Sequence, residues 1–170
     1  MVLILMGVSG TGKTTLGEML SKSTGWPFLD GDDFHPAANK EKMASGNPLT
    51  DEDRAPWLAI LHDKIAEYAN AGKGMIMACS ALREGYRNTL RGDLSASVVQ
   101  FALLEADPAV IAAHLAARHH QFMNPSLLGS QLATLEHPGD GAWNISVAGT
   151  PEESLALLEG HLKEAGAVAA

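Results

Sequence analysis

The sequence has one cysteine, Cys79, among its 170 residues. A lone cysteine excludes a disulfide framework within the chain, and its position in an apolar segment predicts a buried, unreactive thiol. Aromatic residues are also scarce, at 5% of the chain, but 46% of the residues are hydrophobic. A chain of this length and composition buries enough surface to fold without disulfide or metal crosslinks. We therefore expect a single domain spanning residues 1–170.

Basic residues are few, and long hydrophobic runs are missing. The chain has 12 Lys and Arg against 20 Asp and Glu, a formal net charge of −8. Non-specific nucleic-acid binding requires a surplus of positive charge, so the composition argues against it. The longest clean apolar run, Val2–Met6, is about a quarter of the roughly 20 residues that span a bilayer, and no basic stretch precedes it. We expect a cytoplasmic protein without a membrane partner.

Five short apolar runs have the character of strands, and amphipathic helical stretches separate them. The runs are Val2–Met6, Trp26–Leu29, Met75–Cys79, Val98–Leu104 and Trp143–Ala148. This alternation predicts an α/β fold with a mainly parallel five-stranded sheet covered by helices. Between Asp53 and Ala71, apolar residues recur at intervals of three and four, which predicts a helix with one buried face. Trp57 on that face is either a core residue or a wall of a substrate site.

A phosphate-binding motif follows the first run directly. The residues Gly7, Val8, Ser9, Gly10, Thr11, Gly12, Lys13 and Thr14 match GxxxxGK[ST] in full, and a helical pattern comes next, as the motif requires. Glycines let the backbone curl so that N–H groups face phosphate oxygens, and the helix N-terminus adds a positive dipole end. We expect this loop, with Thr15, to bind ATP. Lys13 would neutralise the β- and γ-phosphates, and Thr14 would ligate Mg²⁺.

An acidic cluster, Asp30-Gly31-Asp32-Asp33, stands where the second strand should end, on the same sheet edge as the loop. Phosphoryl transfer needs one carboxylate to orient the acceptor hydroxyl and take its proton, and another can hold Mg²⁺ through water. Asp32 suits the first role and Asp30 the second; capping of the following turn is the alternative for Asp30 and Asp33. A GTPase is disfavoured, because Asn39-Lys40-Glu41-Lys42 lacks the Asp of an NKxD element. The cluster and the chain length instead indicate a small-molecule kinase.

All five arginines lie in or beside the proposed site segments: Arg54, Arg83, Arg87, Arg91 and Arg118. Three of them, Arg83, Arg87 and Arg91, repeat every four residues and would line one face of a helix, where they could meet an anionic acceptor or nucleotide. A solvated basic stripe is the alternative. The neighbouring His119 and His120 have no Cys or acidic partner at a useful spacing, so they predict no metal site.

Several blocks outside the loop carry a resemblance to a known family. They are Leu5-Met6-Gly7-Val8-Ser9-Gly10, Leu29-Asp30-Gly31-Asp32 with His35-Pro36, Asn39 with Lys42-Met43, Gly46, Pro48-Leu49, Asp53-Arg54 and Pro56-Trp57. Later blocks are Cys79-Ser80-Ala81-Leu82, Tyr86-Arg87, Leu90-Arg91, Leu127-Leu128, Ser130-Gln131 and Leu135-Glu136 with Pro138. From Leu5 to about Leu158, the chain resembles the gluconokinase family of small P-loop kinases, which phosphorylate D-gluconate from ATP.

The resemblance implies a three-layer α/β/α P-loop NTPase fold of the nucleoside-monophosphate-kinase type, with a lid at about residues 118–138, and usually a homodimer. It implies ATP and Mg²⁺ as cofactors and transfer to the 6-hydroxyl of gluconate, giving 6-phosphogluconate and ADP. Asp32 would orient that hydroxyl, while Lys13 and Arg118 would stabilise charge on the migrating group. The candidates for binding gluconate, whose carboxylate is remote from that hydroxyl, are His35, Arg54, Arg83 and Arg87. His35 alternatively caps a turn before Pro36.

The chain departs from the family pattern in two places. The lid reads Arg118-His119-His120-Gln121-Phe122 where the family has Arg-Lys-Gly-His-Phe. In addition, Arg83 stands where Lys is common in the family. This change replaces a rotatable ammonium group with a planar guanidinium of the same charge. Adenylylsulfate kinase shares the Asp-Gly-Asp, but Asp33-Phe34-His35-Pro36 lacks the Arg expected there. Shikimate kinase is a weaker rival. A nucleotide-dependent switch ATPase, which phosphorylates no small acceptor, is the rival of another class.

Overall fold

The computed structural model describes residues 1–117 and 125–169. Within these residues the strands are β1 (Val2–Met6), β2 (Phe28–Asp30), β3 (Met75–Ala78), β4 (Val99–Glu105) and β5 (Trp143–Ser146). The helices are α1 (Lys13–Thr24), α2 (Ala37–Ala44), α3 (Asp51–Asn70), α4 (Glu84–Arg91), α5 (Pro108–Ala116), α6 (Pro125–Thr134) and α7 (Pro151–Glu164). In these residues no helix combines the length and the hydrophobicity that crossing a bilayer demands.

All strand pairs are parallel, and the sheet order is β2-β3-β1-β4-β5. The central strand β1 is completely buried because its side chains alternate between two cores. Val2, Ile4 and Met6 pack on the face covered by α3, and Leu3 and Leu5 pack on the face covered by α1 and α7. Burial on both faces explains why the run is apolar throughout. The predicted α/β fold with a parallel five-stranded sheet is confirmed.

The second strand begins at Phe28, two residues later than the sequence pattern predicted. The backbone groups of Trp26 belong to the end of α1 instead: its carbonyl accepts from Ser21 Oγ at 2.6 Å, and its N–H donates to Thr24 Oγ1 at 3.1 Å. Pro27 has no N–H to give to a strand ladder. These local hydrogen bonds delay the strand and leave Asp30 as its last residue.

Helix α3 begins at Asp51, two residues before the predicted start. Thr50 and Asp53 form a reciprocal capping box, in which Thr50 Oγ1 accepts the Asp53 N–H at 3.2 Å and the Asp53 carboxylate accepts the Thr50 N–H at 2.8 Å. The predicted apolar face is buried, with Trp57 5% exposed and Leu61 fully enclosed. The box fixes where α3 enters the sheet edge that carries the P-loop.

Candidate active site

The segment from Gly7 to Thr14 joins β1 to α1 in a tight curl. Its glycines Gly7, Gly10 and Gly12 have φ values of 137°, 87° and 88°. A side chain would also collide at two of these positions, because a Cβ would lie 2.7 Å from the Leu104 carbonyl oxygen at Gly7 and 2.6 Å from Leu115 Cγ at Gly10. Glycine therefore permits the backbone conformation that turns successive N–H groups toward an anion.

Lys13 is held across this loop by the loop's own backbone. Its Nζ donates to the carbonyl oxygens of Gly7 and Val8 at 2.9 and 3.0 Å. The buried Thr11 donates from Oγ1 to the same Val8 carbonyl at 2.9 Å. These three hydrogen bonds each join residues that are close in sequence. The loop and its cation are therefore pre-organised by local sequence, as an anion site at a helix N-terminus requires.

A side chain from a distant helix also reaches the loop. Gln131 on α6 accepts the Ser9 N–H with Oε1 at 2.7 Å, and its Nε2 donates to Ser9 Oγ at 3.1 Å. The amide oxygen thus occupies a backbone donor of the phosphate-binding loop. Gln131 belongs to one of the blocks that resemble the gluconokinase family, but the sequence alone predicts no role for it in the site. No local pattern singles it out, because Ser126, Ser130 and Thr134 are polar residues of the same helix.

A mainly apolar cavity of about 230 Å³ opens beside the loop, between α1, α5 and the segment after β5. Its walls include Gly12, Thr15, Leu16, His114, Val147 and Ser154. The cavity adjoins the N-terminus of α1, where phosphates are expected. Its mainly apolar lining with a few polar groups is of the kind that takes a small-molecule ligand such as a nucleotide base.

The acidic cluster forms the turn that follows β2. Gly31–Phe34 is a 3₁₀ turn, and Asp30 Oδ1 accepts the Asp32 N–H at 3.0 Å, so Asp30 does cap this turn. Gly31 is buried, and a Cβ there would lie 2.7 Å from the Ala78 carbonyl oxygen. Close packing of the turn on β3 therefore fixes the point from which Asp32 projects.

Asp32 projects from this turn with 83% of its side chain exposed. The surrounding protein raises the pKa of its carboxyl through desolvation, and the neighbouring Asp30 raises it further. His35 and Lys13 act in the opposite direction. Lys13, the P-loop cation, is among the charges that lower this pKa, in agreement with a position of Asp32 on the same sheet edge.

His35 is enclosed, with 6% of its side chain exposed. Its ring stacks on Trp57, with 4.1 Å between centroids and 16° between planes. Trp57 in turn donates from Nε1 to the Gly31 carbonyl at 2.8 Å. Burial lowers the pKa of His35 and outweighs the opposing effect of Asp32, so the ring is neutral near pH 7. Trp57 is thus a core residue that also forms a wall of the site, which joins the two alternatives left open by the sequence.

A second cavity, of about 240 Å³, lies between α3 and the start of α4. Its lining includes Arg54, Trp57, Ser80, Arg83 and Tyr86. The Arg54 guanidinium lies 5.6 Å above the Tyr86 ring, and its Nη1 donates to the Tyr86 hydroxyl at 3.3 Å. Two of the predicted cationic residues, Arg54 and Arg83, therefore share one cavity wall.

Arg87 and Arg91 do not share this wall. The buried Arg87 donates to the carbonyl oxygens of Ala81 and Glu136, both at 2.7 Å. Ala81 has a φ of 47°, unusual for a residue with a side chain, so Arg87 supports the backbone segment that lines the cavity. Arg91 lies 5.1 Å above the Phe101 ring. Arg87 and Arg91 both line a separate cavity with Phe101 and Glu136, so the single basic face expected for Arg83, Arg87 and Arg91 is divided between two environments.

Some predicted features lie outside the described residues. Arg118, His119, His120 and Gln121 belong to residues 118–124, as does the first part of the expected lid. Cys79 is described: it is buried, and burial raises the pKa of its thiol to about 12. The expectation of a buried, unreactive cysteine is confirmed.

The fold and the loop together define the class of the protein as a small P-loop kinase. A family model described as an AAA domain matches residues 2–138. A gluconokinase from Gluconobacter oxydans (strain 621H) is 48% identical over 157 residues, which cover 92% of this chain and 87% of that protein. The chain belongs to the gluconokinase family.

Solved structures agree with this assignment. The crystal structure of a gluconokinase from Sinorhizobium meliloti 1021 aligns with a TM-score of 0.82 at 36% identity, covering 96% of this chain and 94% of that one. Shikimate kinase from Aquifex aeolicus aligns at 16% identity with a TM-score of 0.58, covering 98% of this chain and 99% of that one. The second match shows a shared fold alone, so the resemblance to gluconokinases stated from the sequence is confirmed over its weaker rival.

Proposed function

We propose that this protein transfers the γ-phosphoryl group of ATP to the 6-hydroxyl of D-gluconate, forming 6-phosphogluconate and ADP. Membership of the gluconokinase family supports the reaction. The structural observation that carries the proposal is the position of Asp32. This carboxylate is within electrostatic reach of Lys13 and faces His35, which stacks on a wall of the cavity lined by Arg54 and Arg83.

The nucleotide is proposed to bind along the P-loop. The backbone N–H groups from Gly10 to Thr15 would face its phosphates, whereas the Gly7 N–H donates to the Ser80 carbonyl at 3.1 Å. Lys13 would neutralise the β- and γ-phosphates from the position in which two loop carbonyls hold it. The base enters the cavity beside the loop, between Leu16 and Val147. Binding through backbone donors leaves the transferring phosphoryl group directed at the sheet edge where Asp32 lies.

ATP is proposed to act with Mg²⁺. The Thr14 hydroxyl and, through water, the Asp30 carboxylate would hold the ion, and both are hard oxygen donors of the kind that Mg²⁺ prefers. Among the described residues there is no cluster of three or more His, Cys, Asp or Glu that could hold a metal. Such a sparse donor set fits an ion bound mainly by phosphates and water. When bound, it neutralises phosphate charge.

Asp32 is proposed to orient the acceptor hydroxyl and to accept its proton. The new bond joins that oxygen to the γ-phosphorus as the bond from the γ-phosphorus to the bridging oxygen of ADP breaks. The surroundings raise the pKa of Asp32. A higher pKa makes the carboxylate a better proton acceptor, because a general base works best when its pKa lies near the working pH. Lys13 and Arg118 would stabilise the charge on the migrating group.

The remote carboxylate of gluconate is proposed to meet Arg54 and Arg83, because both line the acceptor cavity. A planar guanidinium matches a carboxylate with two parallel hydrogen bonds. Arg87, also a candidate from the sequence, is left out of this proposal, because backbone carbonyls already occupy its guanidinium.

The experiment that tests the proposed function is ADP release from ATP and Mg²⁺, first without acceptor and then with gluconate, shikimate, adenylylsulfate or a nucleoside monophosphate. Turnover that depends on gluconate alone is the expected result. ATP turnover unchanged by every acceptor would overturn the proposal in favour of a nucleotide-dependent switch. Turnover stimulated by a different acceptor would reassign the cavity lined by Arg54 and Arg83.

The proposal extends to the assembly and the location of the protein. Family membership supports a cytoplasmic homodimer. Light scattering on the purified protein, whose chain mass is 17.9 kDa, tests the assembly: a mass near twice this value is expected, and a mass near the single-chain value would contradict it.

A further inference from the structure

The contacts of Asn39 settle which ring nitrogen of His35 carries a proton. The buried Asn39 donates from Nδ2 to the Asp53 carbonyl oxygen at 2.9 Å, and the same Nδ2 lies 3.2 Å from His35 Nδ1. The Asp53 oxygen can only accept, so the atom facing it is the amide nitrogen and not the amide oxygen. An amide nitrogen can only donate, so His35 Nδ1 is the acceptor. In the neutral ring, the proton is therefore on Nε2.

The protonated nitrogen of His35 faces Asp32. The distance from Nε2 to Asp32 Oδ1 is 3.8 Å, which is longer than a hydrogen bond. The charged groups that act on the ring are Asp32, Arg54 and Lys40, and their effects on its pKa are smaller than that of burial. The Asp32 side chain lies at the surface, whereas the imidazole is enclosed. The N–H of a fixed ring thus faces the Asp32 carboxylate.

Two residues of α3 fix this imidazole from different sides. Trp57 covers its face, and the Asp53 carbonyl holds Asn39 against its edge. The Asp53 carbonyl belongs to the first turn of α3, and Trp57 follows about one helical turn later. The capping box at Thr50 sets the start of that turn. The first two turns of α3 therefore fix the orientation of the imidazole plane through Trp57 and its tautomer through Asn39.

We propose that His35 is a positioning residue for phosphoryl transfer: its Nε2–H donates to one oxygen of Asp32 when the acceptor binds and leaves the other oxygen for the acceptor hydroxyl. This inference deepens the proposed function and rests on it. It also differs from the expectation that His35 binds the gluconate carboxylate, because the N–H is directed toward the acid that takes the proton. Hydrogen bonds of this kind are often long before the substrate binds.

Two substitutions separate the N–H from the stacking. His35→Gln keeps a donor near the place of Nε2 but loses the ring, and His35→Phe keeps a ring on Trp57 but has no donor. We expect kcat with gluconate to fall about tenfold to a hundredfold in His35→Phe, because losing the N–H removes part of the rate enhancement that a general base provides. In His35→Gln we expect a fall of about fivefold or less. The KM for gluconate should change by less than about threefold in both. Thermal unfolding of each variant is the control for correct folding.

The result that would overturn this inference is a larger loss of kcat in His35→Gln than in His35→Phe, since stacking alone would then matter. A rise in gluconate KM at unchanged kcat would also overturn it and make His35 a substrate ligand.

The tautomer is measured independently of activity by long-range ¹H–¹⁵N spectra, with the His35 signals assigned by their loss in His35→Gln. The expected pattern is a protonated Nε2 and a bare Nδ1. In Asn39→Asp the new carboxylate can only accept, so Nδ1 should gain a proton. Asn70→Asp, the same change at the exposed end of α3, should leave both ring nitrogens unchanged.

A protonated Nδ1 in the unmodified protein would overturn the inference whatever the substrate proves to be. If the tautomer is as expected but gluconate is not turned over, the proposed function fails and the hydrogen-bond chain from Asp53 to His35 stands. The two failures are thus distinguishable.

Discussion

The two ends of the candidate site are built from different parts of the chain. At the nucleotide end, Lys13 and the two carbonyls that hold it lie within seven residues of sequence, and the expected donors to phosphate are backbone N–H groups. At the acceptor end, the groups are side chains from separate elements, among them Asp32, His35 and Arg54. A backbone-built site is encoded by a short motif, whereas a side-chain-built site exists only once α2, α3 and α4 have packed.

The largest expected effect is at the nucleotide end. Lys13→Ala removes the cation that is proposed to face the β- and γ-phosphates, so we expect kcat to fall about a thousandfold, the upper range for loss of one electrostatic contact to a transition state. ATP binding, measured by calorimetry, should weaken as well. Lys22→Ala, on the exposed end of the same helix, is the matched control and should alter neither. Intact ATP binding in Lys13→Ala would contradict the role of the loop.

At the acceptor end, Asp32→Asn should separate chemistry from nucleotide binding. The amide cannot take the hydroxyl proton, so kcat with gluconate should fall about a hundredfold or more, while the Kd for ATP changes little. Asp63→Asn, an exposed change on α3, controls for the loss of one negative charge. Near-normal turnover in Asp32→Asn would remove Asp32 from the mechanism and leave the acceptor end without its base.

The sequence predicts the fold well because its signals are local. The apolar run Val2–Met6 matches β1 at both ends, and the GxxxxGK[ST] motif lies where its flanks require. The start of β2 was predicted two residues too early, since the side-chain hydrogen bonds of Ser21 and Thr24 to the Trp26 backbone compete with strand formation. Local competition of this kind shifts a boundary without changing the topology.

The acceptor end was predictable only in its residue types. Asp32, His35 and Arg54 were identified from their positions in motifs, and their roles remain proposals. The spacing of Arg83, Arg87 and Arg91 predicts one helical face, but it carries no information about the Ala81 and Glu136 carbonyls that bind Arg87. Those partners are up to 49 residues away. Only tertiary packing distinguishes an arginine that is free to bind a ligand from one whose guanidinium donates to backbone carbonyls of two loops.

Arg83 and Arg87 offer a direct test of that distinction. Arg83→Ala should raise the KM for gluconate about tenfold, as expected for a lost hydrogen bond to a charged group, with kcat within about threefold. Arg87→Ala should instead lower Tm, because two buried carbonyls lose their donor. A KM effect confined to Arg87→Ala would reverse the assignment and restore the expectation drawn from the sequence. Steady-state kinetics and thermal unfolding of both variants decide it.

Gln131 is the exception at the nucleotide end, since it comes from α6 and not from the motif. Its amide oxygen occupies the Ser9 N–H, a donor that a phosphate oxygen would also use. Gln131→Ala should therefore tighten ATP binding by about threefold, the size of one net hydrogen bond, and Gln131→Glu should weaken it through added negative charge. Weaker binding in Gln131→Ala would mean that the contact supports the loop when nucleotide is bound. Calorimetry with ATP and Mg²⁺ measures both.

The smallest expected effect concerns the acid stability of α3. Hydrogen bonds from Lys42 Nζ, at 2.6 Å, and from the Thr50 N–H lower the pKa of Asp53 from 3.8 to about 2. Because the pKa is lower in the folded state, the stabilisation is fully present above about pH 4 and is lost as the pH falls toward 2. The unmodified protein should exceed Asp53→Asn in Tm by about 2–4 °C at about pH 6. This difference should close below pH 4.

A Tm difference that stays constant down to about pH 2 would show that the Asp53 carboxylate is not held in its charged form.

The same variant sharpens the comparison between the two ends of the site. The first turn of α3 carries the Asp53 carbonyl that holds Asn39, whereas the P-loop is held by its own backbone. Loosening that turn in Asp53→Asn at neutral pH should therefore lower kcat with gluconate by a few-fold and leave the Kd for ATP unchanged. Equal losses at both ends would mean that the nucleotide end also depends on α3.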